Sequence, residues 1–184
     1  MATTAAASTS FVMRLIGAIS VDPVTYEEVE GDPTATGQAL LVVLLSSLSA
    51  GIGARGFVSS STAGVLFISA VAMVAWAAWA LVTYTIGTRL MPEPQTRADV
   101  GQLLRTIGFS SAPGMLRIFG IVPGAAPAAF AITSLWMLVA MVVAVRQALD
   151  YTSTARAVAV CLLGWTLALA IAVTVGLMFG PALS

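Results

Sequence analysis

Apolar positions fall in long blocks along this chain, and the polar positions gather between them. Residues 36–54, 62–88, 127–146 and 157–180 are four such blocks, each about 19 residues or longer, enough for a helix to cross a hydrocarbon core about 30 Å thick. A further block, 103–122, is interrupted. Pro113-Gly114 sits at its centre, Arg105 stands near its start and Arg117 lies beyond the break, leaving 11 uncharged residues between the two arginines. A Pro-Gly break and a charge are both costly in lipid, so this block needs compensation from its neighbours. Ahead of the blocks, Phe11, Leu15, Ile16 and Ile19 recur at helical spacing around Arg14, which predicts an interfacial amphipathic helix. Arg14 interrupts the apolar run and no charged region precedes it, so this stretch does not read as a signal peptide.

Composition turns the pattern into a class. Of 184 residues, 59% are hydrophobic and only 9% are charged, against about 25% charged in a soluble domain. The chain reads as an integral membrane protein, with 1–184 forming a single membrane domain. The basic residues are all Arg, and His is absent, which removes the commonest general base and metal ligand. Ser110 and Ser111 have no His partner, no carboxylate pair lies deep in a block, and no phosphate loop or metal spacing appears. No catalytic residue, metal site or cofactor is predicted. Cys161, the lone cysteine, lies in an apolar run and excludes a disulfide framework. A formal charge of zero argues against nucleic acid as a partner.

Charge placement decides how the interrupted block is read. With five spans and a cytoplasmic N-terminus, Arg14, Arg89, Arg97, Arg105, Arg146 and Arg156 face the cytoplasm and only Arg55 faces out. With a re-entrant third block and four spans, Arg146 and Arg156 join Arg55 outside. The positive-inside rule prefers five. The expected fold is therefore an all-α bundle of five transmembrane helices in the cell membrane, preceded by the interfacial helix, its third helix kinked or broken at Pro113-Gly114. The C-terminus lies outside in this scheme. No internal repeat is apparent, and an odd number of spans gives no support to a pair of inverted halves.

Two groups of residues are candidates for function. On the inner face, Asp22-Pro23 starts a turn, and Tyr26, Glu27, Glu28, Glu30 and Asp32 follow before the first span. These carboxylates can receive arginines of the inner loops or a basic partner, or they can be a solvated helix start. Arg105 belongs to the same face, and Arg146 and Asp150 are four apart, the spacing of a pair on one helix face. In the broken block, Gly108 and Gly114 permit close backbone approach. Pro113 deprives the Phe109 carbonyl of its helical donor, and the hydroxyls of Ser110 and Ser111 stand one turn upstream to repair the ladder. A discontinuous helix lining a polar cavity and a packed proline kink both account for this pattern. Arg117 either snorkels outward or holds a lipid phosphate or other anion in its planar fork. Tyr84, with Thr83 and Thr85, offers hydrogen bonds across helices, and Gly176 with Gly180 forms a small-xxx-small pattern.

Three stretches carry a resemblance: Asp22-Pro-Val-Thr-Tyr-Glu-Glu-Val, then Arg105-Thr-Ile-Gly-Phe-Ser-Ser-Ala-Pro-Gly-Met-Leu, then Trp136 followed by Ala144-Val-Arg-Gln-Ala-Leu-Asp150. With five spans, the chain resembles a bacterial member of the YIP (Ypt/Rab-interacting protein) family. That resemblance implies a cytoplasmic N-terminus, and it supplies no catalytic residues. Eukaryotic members bind Rab-type GTPases and act in vesicle formation and Golgi traffic. Two functions are in view: a membrane-organising scaffold that binds a protein partner or lipid headgroups on its cytoplasmic face, and a small oligomeric transporter or channel lined by the broken third helix.

Overall fold

Among the described residues all regular structure is helical. The α-helices are α1 (Phe11–Ile19), α2 (Pro23–Gly31), α3 (Ala35–Gly53), α4 (Thr62–Thr85), α5 (Val100–Ser110), α6 (Ala126–Ala148) and α7 (Thr154–Phe179). A π turn, Ile86–Leu90, extends α4, and a 3-10 helix, Ala112–Ile121, follows α5. This computed structural model describes residues 10–54 and 62–179, with the backbone alone near the start of α4 and over the end of α7. Arg55, Gly180 and the C-terminal tail lie outside the described residues, and with them the pairing of Gly176 with Gly180.

Local chemistry sets the helix starts. Ser10 caps α1, Asp22 caps α2 with Pro23 at its first position, and Asp99 with Gln102 forms a reciprocal capping box on α5. Between α1 and α2 the chain reverses through Val21 at φ 58°. The Asp22 N–H returns to the Gly17 carbonyl at 2.9 Å, a helix-ending motif that ordinarily uses glycine at Val21's place.

The break in the third segment is real and local. α5 stops at Ser110, and the next ten residues wind as a 3-10 helix. Pro113 has no N–H to give, while the Ser110 hydroxyl donates to the Ile107 carbonyl at 2.8 Å and the Ser111 hydroxyl to the Gly108 carbonyl at 2.6 Å. The 3-10 rise of about 2.0 Å per residue lets the two pieces reach roughly 36 Å if collinear. So long a 3-10 run is unusual, and close packing against α3 accompanies it. A Cβ on Gly120 would stand 2.9 Å from the Gly53 carbonyl oxygen, and one on Gly108 would stand 2.7 Å from the Ala39 Cβ.

These contacts also give direction. α3 and the broken segment run side by side in the same sense, Ala39 facing Gly108, Ser46 facing Gly114 and Gly53 facing Arg117. α6 returns past them, with Thr133 beside Arg117, Met137 beside Gly114 and Met141 beside Ser110. α4 and α7 pack together, Trp79 meeting Gly164, and Gly87 of the π turn meets Leu149 just past α6. Two cores result. Tyr26, Val29, Val42 and Phe109 join α2, α3 and α5 in one. Leu103, Val145, Leu149 and Val160 join α5, α6 and α7 in the other.

α1 differs from the predicted arrangement. Phe11, Leu15 and Ile19 do pack against the first core. Ile16, however, is exposed together with Val12 and Met13, whereas Arg14 is only 2% exposed. The charge points inward because acceptors on α2 and α3 await it there. Thr85 of the second block acts locally: its hydroxyl bonds the Leu81 carbonyl of its own helix at 2.9 Å rather than a neighbouring one. Among the described residues, two helices, Ala35–Gly53 and Ala126–Ala148, are long and apolar enough to cross a membrane, and Thr154–Leu167 is a shorter apolar stretch.

Candidate functional site

At the end of the bundle where α1, α2 and the start of α3 meet, the acidic residues are largely spoken for from within. Arg14 donates to Glu28 Oε1 at 2.9 Å, to Asp32 Oδ2 at 2.7 Å and to Gln38 Oε1 at 3.1 Å, tying α1 to α2, to the following turn and to α3. The Thr34 hydroxyl and Arg14 together hold the Asp32 carboxyl down at about 2. Asp22 is occupied in capping α2 and in accepting from the Thr25 hydroxyl at 2.9 Å. Tyr26 is fully buried, its hydroxyl donating to the Ala18 carbonyl at 3.1 Å.

Glu30 and Arg105 come together, but not as an ion pair. The Arg105 guanidinium donates to the backbone carbonyls of Val29 and Glu30 at the end of α2, where the helix dipole favours a cation. The Glu30 side chain accepts from Gln102 at 3.1 Å and leaves Oε2 buried without a partner among the described residues. Burial first, then repulsion from Glu27 and Asp150, raises this carboxyl to about 7, and Arg105 opposes the rise.

Beside this network lies a polar basin of about 560 Å³ that gathers Glu27, Arg146 and Asp150 with Gln95, Gln147 and Thr152. Gln147 donates to Glu27 Oε2 at 3.0 Å. Arg146 and Asp150 do not form the pair that their spacing suggests. α6 ends at Ala148 and Asp150 adopts φ 52°, so the register between them is lost. Arg146 turns instead to the carbonyls of Tyr151 and Thr152, at 3.2 and 3.4 Å, and Asp150 accepts from the Arg97 N–H at 3.4 Å. Glu93 fixes the rim, accepting from the Thr152 N–H at 3.0 Å and forming an ion pair with Arg156 at 3.3 Å. Arg14, Glu93, Gln95 and Gln147 are absent from the sequence-based candidates. For Arg14 a signal existed: one charge within an apolar run, with four carboxylates shortly after it.

Farther along the bundle, about midway, lies the break, where Gly114 faces Ser46 of α3 and Met137 of α6. Gly108 and Gly114 press against Ala39 and Ser46 of α3, and Pro113 is fully buried. On the flank of the break a cleft of about 440 Å³ runs between α3, α4 and α6, lined mainly by apolar side chains with Ser46, Ser47, Ser111 and Arg117 among them. Arg117 donates to the Thr133 hydroxyl at 3.3 Å and the Ser134 hydroxyl at 2.9 Å, and its guanidinium carbon stands 5.3 Å from the Phe130 ring centroid.

A family model described as the Yip1 domain matches residues 16–175. The chain belongs to the Yip1-domain family. The match takes in α2 to α6, both glycines of the break, the basin and Arg117, and leaves only Arg14 of the polar network outside it. No curated protein and no solved structure matches the chain. As a Yip1-domain protein with apolar helices, it is a membrane protein. Its candidate sites offer hydrogen bonds and charge to a ligand, and no group of three metal-ligating side chains occurs among the described residues.

Proposed function

We propose that this Yip1-domain protein is a non-enzymatic scaffold of the cell membrane with five spans, its N-terminus and polar basin on the cytoplasmic side, and that the basin docks a protein partner. One observation supports this above the rest. Glu27, Arg146 and Asp150 come from α2, the last turn of α6 and the α6–α7 turn, yet they share a single open basin of about 560 Å³. The surrounding acids are locked into internal contacts, as Arg14 holds Glu28 and Asp32. A fixed surface bearing both charge signs selects a complementary partner, since electrostatic complementarity sets specificity and encounter rate. Lipid headgroups compete for Arg146 in this reading, and the protein partner accounts better for the acidic rim. The transporter alternative finds less support: the carbonyls of Ile107 and Gly108 at the break are taken by serine hydroxyls, so they do not stand as ligands for a solute.

A photo-crosslinking residue placed at Glu27 and, separately, at Asp150 should give the same protein adduct in native membranes. Placed at the exposed apolar Val74 it should not. Equal adducts at all three positions, or none, would overturn the docking reading. A cysteine introduced at Gly124 should be labelled from outside intact cells, and labelling only from the cytoplasm would overturn the five-span topology.

A further inference from the structure

We propose that the cleft beside the broken helix holds one acyl chain of an anionic phospholipid whose phosphate sits on Arg117. This site lies midway along the bundle, with Arg117 on the side away from the basin, and does not depend on the docking reading.

Charge accounting leads to it. The eight acidic side chains of the chain all belong to residues 22–32, 93–99 and 150, toward the basin. The ion pairs among the described residues use Arg14 and Arg156. Arg117 meets only the hydroxyls of Thr133 and Ser134 and the face of Phe130. Those two bonds use Nε and Nη2, and Nη1 finds no acceptor among the described residues. A guanidinium in this setting carries an uncompensated charge, and a carboxylate or phosphate is the bidentate group that its fork fits.

The cleft supplies the remainder of the recognition. Its volume of about 440 Å³ lies within the roughly 300–1,000 Å³ usual for ligand pockets. Trp76, Trp79, Met137 and Met141 form apolar walls that lead away from Arg117. Ala75, also in the lining, is exposed, so the cleft is reached from the flank of the bundle, where lipid would lie. Trp79 keeps its indole N–H buried with no acceptor among the described residues, whereas Trp76 gives its own to the Leu104 carbonyl at 3.2 Å. An amphiphile with an anionic head, ester oxygens and an apolar tail fits one cation, an unused donor and an apolar wall together. A small inorganic anion would leave the walls empty, and an uncharged hydrocarbon would leave Arg117 uncompensated.

The test is native mass spectrometry of the full-length detergent-solubilised protein, titrated with phosphatidylglycerol or with phosphatidylcholine of the same chains. The wild type should retain a single intact phosphatidylglycerol, about ten-fold more tightly than phosphatidylcholine, a difference of about 1.4 kcal/mol. Arg117→Gln, which removes the charge and keeps an amide donor, should abolish the preference between the two. Ala50→Phe, which fills the cleft and keeps the charge, should lose both lipids, and it keeps the test open should Arg117→Gln fail to fold. Equal retention of the two lipids by the wild type, an unchanged preference in Arg117→Gln, or undiminished binding by Ala50→Phe would each overturn the proposal. So would retention of a fatty acid or free phosphate in place of the intact lipid.

Discussion

Glu30→Gln should flatten the pH dependence of stability between pH 5 and 8. Glu30 is 7% exposed, and its carboxyl rises from 4.5 to about 7 on folding. A group that binds its proton more tightly when folded costs nothing below the unfolded value. Stability is then lost as pH rises from about 4.5, where only the unfolded chain ionises, and the loss is complete near 7. About 2.5 pH units at about 1.4 kcal/mol each put the upper bound between roughly 3 and 4 kcal/mol. The surroundings agree on the sign: Glu27, Asp150 and Asp99 repel the ionised form, and Arg105 alone among the named charges favours it. The window is unusually clean because the chain has no His, and Asp32, held at about 2, titrates well below it. Heat unfolding of the detergent-solubilised protein, followed by fluorescence of its four tryptophans, is the assay. The wild-type midpoint should fall from pH 5 to pH 8, and that of Glu30→Gln should lose most of this slope and lie higher at pH 8. A variant whose midpoint tracks the wild type at every pH would refute the assignment of Glu30 as a proton-holding buried acid.

Arg14→Met should destabilise by about 2 kcal/mol: breaking a buried ion pair costs about 3–5 kcal/mol, but Glu28 and Asp32 are 33% and 23% exposed and water recovers part of the loss. The midpoint of heat unfolding at neutral pH reads this, and no change would mean that the pairs contribute nothing. Gly108→Val should cost about 1–3 kcal/mol by overpacking against Ala39, and the added Ala39→Gly change should restore part of it in a double-mutant cycle. Val21→Gly should raise stability by up to about 1 kcal/mol, since the φ of 58° strains a β-branched residue and not a glycine. A lower midpoint in that variant would show that the Val21 side chain contributes more than the turn strains it.

The apolar blocks became helices because hydropathy acts through composition over many residues, and no arrangement of partners is needed to read it. The break at Pro113 was equally plain, since the missing N–H belongs to the residue itself. The hydroxyls of Ser110 and Ser111 do act there, on the carbonyls of Ile107 and Gly108 rather than that of Phe109. The 3-10 winding after the break was not legible, because it accompanies contact with Gly53 on another helix.

The charges show the opposite case. By spacing alone Arg146 and Asp150 were partners, but one residue in the left-handed region ended their shared helix. Arg14 looked like an interruption in an amphipathic stretch, yet it binds side chains 14 to 24 residues away. Arg105 is held by carbonyls some 75 residues away. The order of residues thus determined an all-helical membrane protein and the position of its break. Which arginine meets which acid, and that Arg117 meets none among the described residues, was settled by which helix ends pack together. Electrostatic and hydrogen-bond energies fall off within a few ångströms, and separation along the chain says nothing of that distance.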